Sequence, residues 1–301
     1  MVQASADTMT KEQIVGSLLM MGFEGKAPED RGSQMVMQMI KNYEIGGVLT
    51  VNRNFGPGDQ AKRLGRALQE ATPDRLPVLV AIDQEGGLIQ RLGPKQGWKP
   101  MLSPEKVAAS MSVNEASAMY GRVACVLREW GFTYTLGPVV DLAVEPNNPI
   151  ITKLGRSFGS DADSVSSFAA GAVKNAQKCG VLTALKHFPG HGSSIGDTHK
   201  GFVDITQSWS AKELEPYIRL IRIGLAPSIM TAHVSNLNMD KRLPASLSPV
   251  VVGHLLRKRL DYQGMVITDD LEMKAITNLM SIPQAAVLAL ASGNDMIMVS
   301  T

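Results

Sequence analysis

Short apolar runs alternate with longer amphipathic stretches through most of this 301-residue chain. Each apolar run ends in polar or glycine-rich sequence, which is typical of parallel strands connected by helices. The alternation predicts seven strands, at residues 46–51, 77–83, 132–142, 181–188, 228–234, 264–270 and 295–300. Seven is one strand fewer than a closed barrel needs. The predicted fold is therefore α/β, either a TIM-type (β/α)8 barrel or a closely related incomplete barrel.

The stretches between these strands have the apolar periodicity of helices. The clearest of them cover residues 59–71, 114–130, 161–178 and 211–223, with Pro216 favouring a late start for the last. Ser248 as N-cap and Pro249 as first helical residue predict a further helix start. No internal repeat or linker divides the chain, so residues 1–301 are interpreted as one domain. A barrel would normally add a covering helix after its last strand, and we expect that such a C-terminal piece is disordered, removed or folded elsewhere in the full gene product.

Charge and cysteine content narrow the possible functions. The 30 Lys and Arg residues nearly balance the 28 Asp and Glu, and no basic run could follow a phosphate backbone. Nucleic acid is therefore not an expected partner. No apolar stretch is long enough to predict a membrane span. Cys125 and Cys179 belong to no CxxC or other ligand spacing, so we expect neither a disulfide framework nor a zinc knuckle.

The N-terminus predicts a cytoplasmic protein, because no charged leader precedes an apolar core of the kind found in signal peptides. The "ASA" at residues 4–6 resembles the sequence that a signal peptidase leaves. A periplasmic or secreted location is therefore the alternative.

Polar residues follow the predicted strands at the end where chemistry collects in parallel α/β folds. Five strands end in this way, with Asp83, Asp141, the pair Lys186 and His187, His233, and the pair Asp269 and Asp270. Any one of these residues could be a capping or hydrogen-bonded scaffold residue. Their repetition over five strands favours a functional site at the carboxyl end of the sheet.

Three of the five histidines fall within "KHFPGHGSSIGDTH" at residues 186–199. A metal site would need His187 and His191 on one helical face, and the intervening Pro189 and Gly190 argue against a helix. We therefore expect no metal. His187 also directly follows an apolar run, as His233 does, so both could instead be core histidines.

His199 differs because it lies in glycine-rich sequence two residues after Asp197. A nearby carboxylate can fix the imidazole tautomer and leave the second ring nitrogen free to transfer a proton near neutral pH. The alternative interpretation is a pair of loop residues that hydrogen-bond only to the backbone.

Three motifs together resemble the catalytic domain of glycoside hydrolase family 3, and specifically its β-N-acetylglucosaminidases. The motifs are "IDQEGGLIQR" at 82–91, "KHFPGHG" with "DTH" at 186–199, and "VITDDLEM" at 266–273. They occur in the family's order within a likeness that extends from about residue 14 to residue 299. The resemblance implies that Asp269 is the nucleophile that forms a covalent glycosyl-enzyme. It also implies that His199, oriented by Asp197, is the general acid/base.

The resemblance further implies a set of substrate-binding residues: Asp83, Arg91, Arg156, Lys186, His187 and His233. The implied reaction is a retaining double displacement that needs no metal and no other cofactor. Its substrates would be small carbohydrates, namely N-acetylglucosamine glycosides such as the muropeptides of peptidoglycan recycling.

Three alternatives remain open at this point. A β-glucosidase or other glycosidase of the family is one, although relatives acting on plain glucosides usually lack the DxH loop. A Schiff-base aldolase could place its lysine at the end of a barrel strand, as Lys186 is placed, but this leaves Asp197, His199 and Asp269 unexplained. A non-catalytic sugar-binding barrel is the third, and the intact nucleophile and acid/base pair argue against it.

Overall fold

The structure is a computed structural model that describes residues 9–72 and 77–301. The "ASA" segment on which the alternative location depends lies outside these residues. Eight parallel strands close into a barrel in which β1 pairs with both β2 and β8. The strands are β1 Leu19–Met21, β2 Gly47–Thr50, β3 Leu79–Ile82, β4 Tyr134–Thr135, β5 Leu182–Phe188, β6 Ser228–Thr231, β7 Met265–Asp270 and β8 Met296–Val299.

The TIM-type prediction is confirmed, and the closed barrel contains one strand that the sequence pattern did not reveal. That strand is β1, which lies in the leucine- and methionine-rich sequence "SLLMMGFEG". The sequence lacks the β-branched residues that usually mark a strand, which explains why the pattern missed it. The predicted strand 132–142 is too long, since only β4 is paired as a continuous strand and Pro138 has no N–H to donate.

Helices surround the barrel, and they include one at each of the four predicted ranges and at the predicted start after Ser248. They are α1 Lys11–Ser17, α2 Arg31–Lys41, α3 Gln60–Glu70, α4 Pro104–Ser110, α5 Val113–Glu129, α6 Ala162–Lys178, α7 Glu215–Arg222, the π-helix Pro249–Arg259, α8 Lys274–Thr277 and α9 Ile282–Ser292. Short 3₁₀ helices cover Asn52–Asn54, Pro94–Gln96, Ala211–Leu214 and Ala245–Leu247.

Two predicted helix starts are confirmed. The Ser248 hydroxyl accepts hydrogen bonds from the backbone N–H groups of Val250 and Val251, and Pro249 is the first residue of the π-helix. Pro216 lies in the first turn of α7, after the 3₁₀ helix Ala211–Leu214. The helix predicted over 211–223 is therefore two short helices.

Apolar side chains fill both the barrel interior and the layer between the strands and the helices. The interior contains Met20, Met230, Met296 and Met298, together with the buried Tyr134. Methionine is flexible and fills irregular space, which suits the tapering centre of a barrel. This core fixes the strands, and their carboxyl ends carry the polar residues described below.

The two cysteines form a disulfide, so the expectation that they would not is wrong. Cys125 lies on α5 and Cys179 directly follows α6, with their Cα atoms 4.9 Å apart. The two helices pack side by side, and 54 residues separate the cysteines along the chain. No local spacing rule could reveal a pair formed by helix packing.

Within residues 9–72 and 77–301, no helix has the length and apolar character needed to cross a membrane.

Candidate active site

A cavity of about 500 Å³ opens at the carboxyl ends of the barrel strands. Its polar lining comes from the ends of β5 and β7 and from the segments that follow β2, β3, β4, β5 and β8. These residues are Asn52, Arg53, Asp83, Arg91, Arg156, Lys186, His187, His191, Thr198, His199, Asp269, Asp270 and Ser300. The site therefore lies where the topology of a parallel barrel predicts it.

One wall of the cavity is a network of ion pairs centred on Lys186. Its Nζ lies 2.9 Å from an oxygen of Asp83 and 2.8 Å from an oxygen of Glu85. The second oxygen of Asp83 accepts a hydrogen bond from Arg91 at 3.0 Å. Glu85 in turn accepts two hydrogen bonds from the Arg156 guanidinium, both at 2.8 Å. Bidentate geometry of this kind fixes both groups.

The hairpin formed by Gln84–Gly86 and Ile89–Gln90 delivers part of this network to the site. It follows β3 directly, so Asp83 precedes it, Glu85 lies within it and Arg91 follows it. Lys186 reaches the same point from the end of β5, and Arg156 reaches it from the loop before α6. Residues far apart in sequence thus meet through the closure of the barrel.

The network holds its carboxyl groups in the ionised form. Burial alone would raise the pKa of Asp83, but the Lys186 ammonium and the Arg91 guanidinium outweigh burial and lower it well below its usual range. Burial is opposed in the same way at Glu85, where Arg156 and Lys186 lower the pKa to about 2. The wall therefore offers fixed charges to a ligand at neutral pH.

A buried carboxylate, Asp141, organises the floor of the cavity. Asp141 accepts a hydrogen bond from His187 Nδ1 at 2.7 Å and another from the His191 backbone N–H at 2.8 Å. His187 Nε2 then faces the Arg156 guanidinium at 3.5 Å. Burial lowers the pKa of His191 to about 4, so this imidazole is neutral at neutral pH. Asp141 thus fixes the orientation of His187 and the start of the loop beyond it.

The loop after β5 carries the predicted acid/base pair. The Asp197 carboxylate accepts hydrogen bonds from His199 Nδ1 at 2.8 Å and from the His199 backbone N–H at 3.0 Å. The His199 side chain is 66% exposed, whereas that of Asp197 is only 15% exposed. Because Nδ1 donates to the carboxylate, Nε2 is left to give or take a proton at the cavity surface.

Asp269 and Asp270 end β7 in different surroundings. Asp269 accepts a hydrogen bond from the Asp270 backbone N–H through one oxygen, and its other oxygen has no hydrogen-bond partner among the described residues. Burial would raise its pKa, but His233 and His187 outweigh burial and lower it. Burial dominates at Asp270, whose pKa is raised. Asp270 also has one oxygen without a hydrogen-bond partner among the described residues, so the two carboxyl groups differ in that the surroundings of Asp269 favour the ionised form.

His233 lies behind this pair. Its Nε2 donates to the Asp270 carbonyl oxygen at 2.9 Å, so its Nδ1 accepts from the Ser246 hydroxyl at 2.7 Å. Burial lowers the pKa of this imidazole. His233 therefore supports the end of β7 from behind.

Of the nine residues predicted for the site, seven line one cavity: Asp83, Arg91, Arg156, Lys186, His187, His199 and Asp269. The remaining two, Asp197 and His233, lie behind His199 and Asp269. The predicted set omitted Glu85, Asp141 and His191. Glu85 is two residues from Asp83 in the same motif, and Asp141 ends a predicted strand, so both had a local signal. Within the described ranges, no group of three or more His, Cys, Asp or Glu side chains is arranged to hold a metal ion.

The family is decided by a comparison with protein-family models. The model described as the glycosyl hydrolase family 3 N terminal domain matches residues 10–301. The chain belongs to glycosyl hydrolase family 3. The resemblance read from the three motifs is thereby confirmed, and the closed barrel agrees with it.

Relatives of this family 3 chain include curated proteins and solved structures. A β-hexosaminidase of Alkalilimnicola ehrlichii is 34% identical over 93% of this chain and 79% of its own length. β-Hexosaminidase A of Pseudoalteromonas piscicida is 29% identical over 95% of this chain and 53% of its own length. The family 3 β-N-acetylglucosaminidase structure from Paenibacillus sp. str. FPU-7 is 33% identical, with a TM-score of 0.89, over 97% of this chain and 55% of that one. The chain thus spans about half the length of two of these relatives.

Proposed function

We propose that this family 3 chain is a glycoside hydrolase that removes terminal β-linked N-acetylglucosamine with retention of configuration. The observation that carries the proposal is that Asp269 and His199 line the same cavity, with Asp197 behind the imidazole. A carboxylate nucleophile and a proton donor at one cavity are what a double displacement at a sugar carbon requires.

In the first step, the free oxygen of Asp269 attacks the anomeric carbon and forms a carbon–oxygen bond. The bond from that carbon to the leaving oxygen breaks, and the leaving oxygen takes a proton from His199 Nε2. The product is a glycosyl ester of Asp269. The Asp197 carboxylate orients the imidazole and stabilises its protonated form before transfer.

In the second step, water enters where the leaving group was. His199 Nε2 takes a proton from this water as its oxygen attacks the anomeric carbon, and the ester bond to Asp269 breaks. The carboxylate is released, and the two inversions give net retention. Most retaining glycosidases use a second carboxylate for proton transfer, and here an imidazole backed by a carboxylate has that task.

The ion-pair wall supports sugar recognition. Asp83 and Lys186 present an ionised acceptor and a charged donor next to one another, and Arg91 adds a second donor. Charged groups fixed in this way make strong hydrogen bonds to hydroxyl and amide groups. We assign these residues, with Arg156 and His187, to hydroxyl and N-acetyl recognition.

The N-acetyl sugar is favoured by the relatives, which are named β-hexosaminidase or β-N-acetylglucosaminidase. The "DTH" loop supports the same choice, because relatives acting on plain glucosides usually lack it. Muropeptides from peptidoglycan are the natural glycosides that we propose, on the strength of the family resemblance.

Release of nitrophenol from the aryl N-acetyl-β-glucosaminide and from the matching β-glucoside tests this proposal. We expect turnover of the N-acetyl substrate to be greatly preferred. Preference for the glucoside would indicate a different glycosidase activity of the family. If nitrophenol were released from neither substrate, a non-catalytic sugar-binding barrel would be favoured.

The surroundings of Lys186 argue against the aldolase alternative. Burial would lower the pKa of the ammonium, but the flanking carboxylates of Asp83 and Glu85 outweigh burial and raise it. A Schiff-base lysine must be a free amine near neutral pH. Lys186 is held as a charged partner of two carboxylates instead.

We also propose that the chain works in an oxidising compartment, which favours the periplasmic or secreted alternative over the cytoplasm. The supporting observation is the bond between Cys125 and Cys179, since structural disulfides persist mainly outside the reducing cytosol. Alkylation of the protein in its native cells without reductant, followed by mass spectrometry, tests this. Two alkylated thiols would contradict it.

A further inference from the structure

The turn that begins the acid/base loop is held from two sides by buried carboxyl groups. Three consecutive backbone N–H groups belong to this turn, which we define as residues Gly190–Ser193. That of His191 donates to Asp141 at 2.8 Å, and those of Gly192 and Ser193 donate to Glu213 at 2.9 and 3.3 Å. Asp141 belongs to the floor of the cavity, whereas Glu213 lies outside it on the 3₁₀ helix Ala211–Leu214.

The backbone of the turn fits closely against Glu213. Gly190 has φ +121°, a left-handed conformation that favours glycine, and a Cβ at this position would lie 2.6 Å from the Glu213 Cβ. Trp209, from the same segment as Glu213, donates its indole N–H to the Pro189 carbonyl at 3.1 Å. The turn and the segment 209–213 therefore form one packed unit.

A glutamate is rarely buried at a position where the side chain serves only for packing. Glu213 is 1% exposed, and its Oε1 has no hydrogen-bond partner in the described part of the chain. A buried carboxyl with an unpaired oxygen is unfavourable compared with an apolar side chain of similar size. The carboxyl group does supply the acceptor for two adjacent N–H groups that no other described residue accepts.

We propose that Glu213 is a positioning residue for the acid/base reaction. It fixes the N–H groups of Gly192 and Ser193, and thereby the direction in which the chain leaves the cavity floor toward Asp197 and His199. Asp141 fixes the preceding residue in the same way, so the two carboxyl groups set the turn together. The inference rests on the proposed role of His199, because it assigns Glu213 to the placement of that imidazole.

Two substitutions of Glu213 separate the effect of its hydrogen-bond acceptor from the effect of its packing. Glu213→Gln keeps an oxygen that can accept both N–H groups, and Glu213→Leu fills similar volume without an acceptor. Leu220→Ala is the control, because it destabilises the neighbouring α7 through a fully buried side chain that makes no hydrogen bond to the turn. All three variants are compared with the parent chain on an N-acetylglucosaminyl disaccharide and on the dinitrophenyl glycoside.

We expect Glu213→Leu to lose about 10²-fold in kcat/KM on the disaccharide, the size of loss that a misplaced catalytic group can produce. The loss in kcat/KM on the dinitrophenyl glycoside should be much smaller, because kcat/KM reports the first step alone and this leaving group needs no proton. Glu213→Gln should remain within a few-fold of the parent on both substrates. Equal losses on both substrates in Glu213→Leu, matching Leu220→Ala, would overturn the proposal.

Hydrogen exchange of the peptide covering residues 190–194 gives a reading that does not depend on activity. Exchange should accelerate in Glu213→Leu and stay near the parent rate in Glu213→Gln and Leu220→Ala. Unchanged exchange in Glu213→Leu would contradict the proposal that the Glu213 carboxyl group holds this turn. If the parent chain hydrolyses neither substrate, the proposed function fails, while the exchange result still decides whether Glu213 holds the turn.

Discussion

At the scale of single residues, Asp269 and Asp270 are neighbours in the chain with opposite electrostatic surroundings. Burial would raise the pKa of Asp269, but the imidazoles of His233 and His187 outweigh burial and lower it, and Asp269 lines the cavity. The Asp270 side chain accepts backbone N–H groups of Glu272 and Ser300, both at 3.1 Å. Each carboxyl group keeps one oxygen without a hydrogen-bond partner among the described residues, but the surroundings of Asp269 favour the ionised form, whereas Asp270 holds β7 and the end of β8 together.

We predict that Asp269→Ala abolishes turnover and leaves the fold intact. The loss should approach about 10⁶-fold, the scale seen when a hydrolase loses its nucleophile. Azide should restore release of the aryl leaving group and give a glycosyl azide of inverted configuration, because it attacks from the vacated side. Asp270→Asn is the control, since its amide oxygen can still accept both N–H groups. A greater loss in Asp270→Asn than in Asp269→Ala would reverse the assignment.

His199 provides a second prediction at this scale. His199→Ala should lower the rate on natural glycosides by on the order of 10²- to 10⁴-fold, the usual size of general acid/base catalysis. The loss should shrink as the leaving group becomes a more stable phenolate. Asp197→Ala should reproduce part of the defect, because the imidazole loses the carboxylate that fixes its tautomer and orientation. Full rates on disaccharides in both variants would remove the pair from the mechanism.

How far the residues of the site could be predicted depends on where their partners lie. Asp197 and His199 contact each other two residues apart, so the sequence alone displays the pair. Lys186 and Asp83 are 103 residues apart, and Arg156 and Glu85 are 71 apart, so only the closed barrel brings them together. Glu213 gives no sequence signal, because its role depends on two backbone N–H groups of another segment.

At the scale of elements, most strands and the long helices α3, α5 and α6 follow from the local sequence pattern. Helices α3, α5 and α6 start and end within a residue or two of the predicted ranges. Their bounds could be predicted because apolar residues recur at helical spacing along the whole length of each helix. Strand β1 was missed because three Leu and Met residues carry no strand-specific pattern. Tertiary pairing with β2 and β8 makes it a strand.

The contact between the 3₁₀ helix Ala211–Leu214 and the loop turn leads to a prediction about stability. Burial raises the pKa of Glu213 to about 7, and the charge of the nearby Asp141 acts in the same direction. A carboxyl group with a raised pKa in the folded state stabilises the fold fully below its unfolded value of 4.5, and this contribution is lost as the pH rises through 7. Burial raises the pKa of Tyr217, a titratable group close to Glu213, well above its usual value, so its hydroxyl stays neutral over this range.

The free energy of unfolding of the parent chain should therefore fall relative to Glu213→Gln between pH 4.5 and 7, by roughly 3 kcal/mol at 1.36 kcal/mol per pH unit. Urea unfolding of both proteins across this range measures the difference. The Asp141 carboxylate is present in both proteins, so its own contribution to the free energy of unfolding cancels in the difference. A constant difference between the two proteins from pH 4.5 to 7 would contradict the raised pKa.

At the scale of the whole molecule, a single covalent link joins α5 to the end of α6. It closes a loop whose two cysteines are 54 positions apart in sequence and which contains β4 and the Arg156 loop. A disulfide across a segment of this length restricts the unfolded chain and should stabilise the fold by about 2–4 kcal/mol.

We predict that reduction lowers the free energy of unfolding by this amount and leaves glycosidase activity of the folded protein unchanged, because neither cysteine reaches the cavity. Urea unfolding with and without reductant measures the change, and Cys125→Ala with Cys179→Ala serves as the permanently reduced reference. A loss of activity on reduction in protein that remains folded would show that the link also shapes the site.

The central claim is that the barrel forms a covalent N-acetylglucosaminyl ester on Asp269. The most direct measurement treats the chain with a fluorinated N-acetylglucosaminyl fluoride that forms the ester quickly and hydrolyses it slowly. Intact mass and peptide mapping then locate the adduct. We predict one sugar per chain, attached to Asp269, and no adduct on Asp269→Ala. The absence of any adduct on an enzyme that still turns over, or attachment to Asp270 or Lys186, would contradict the account.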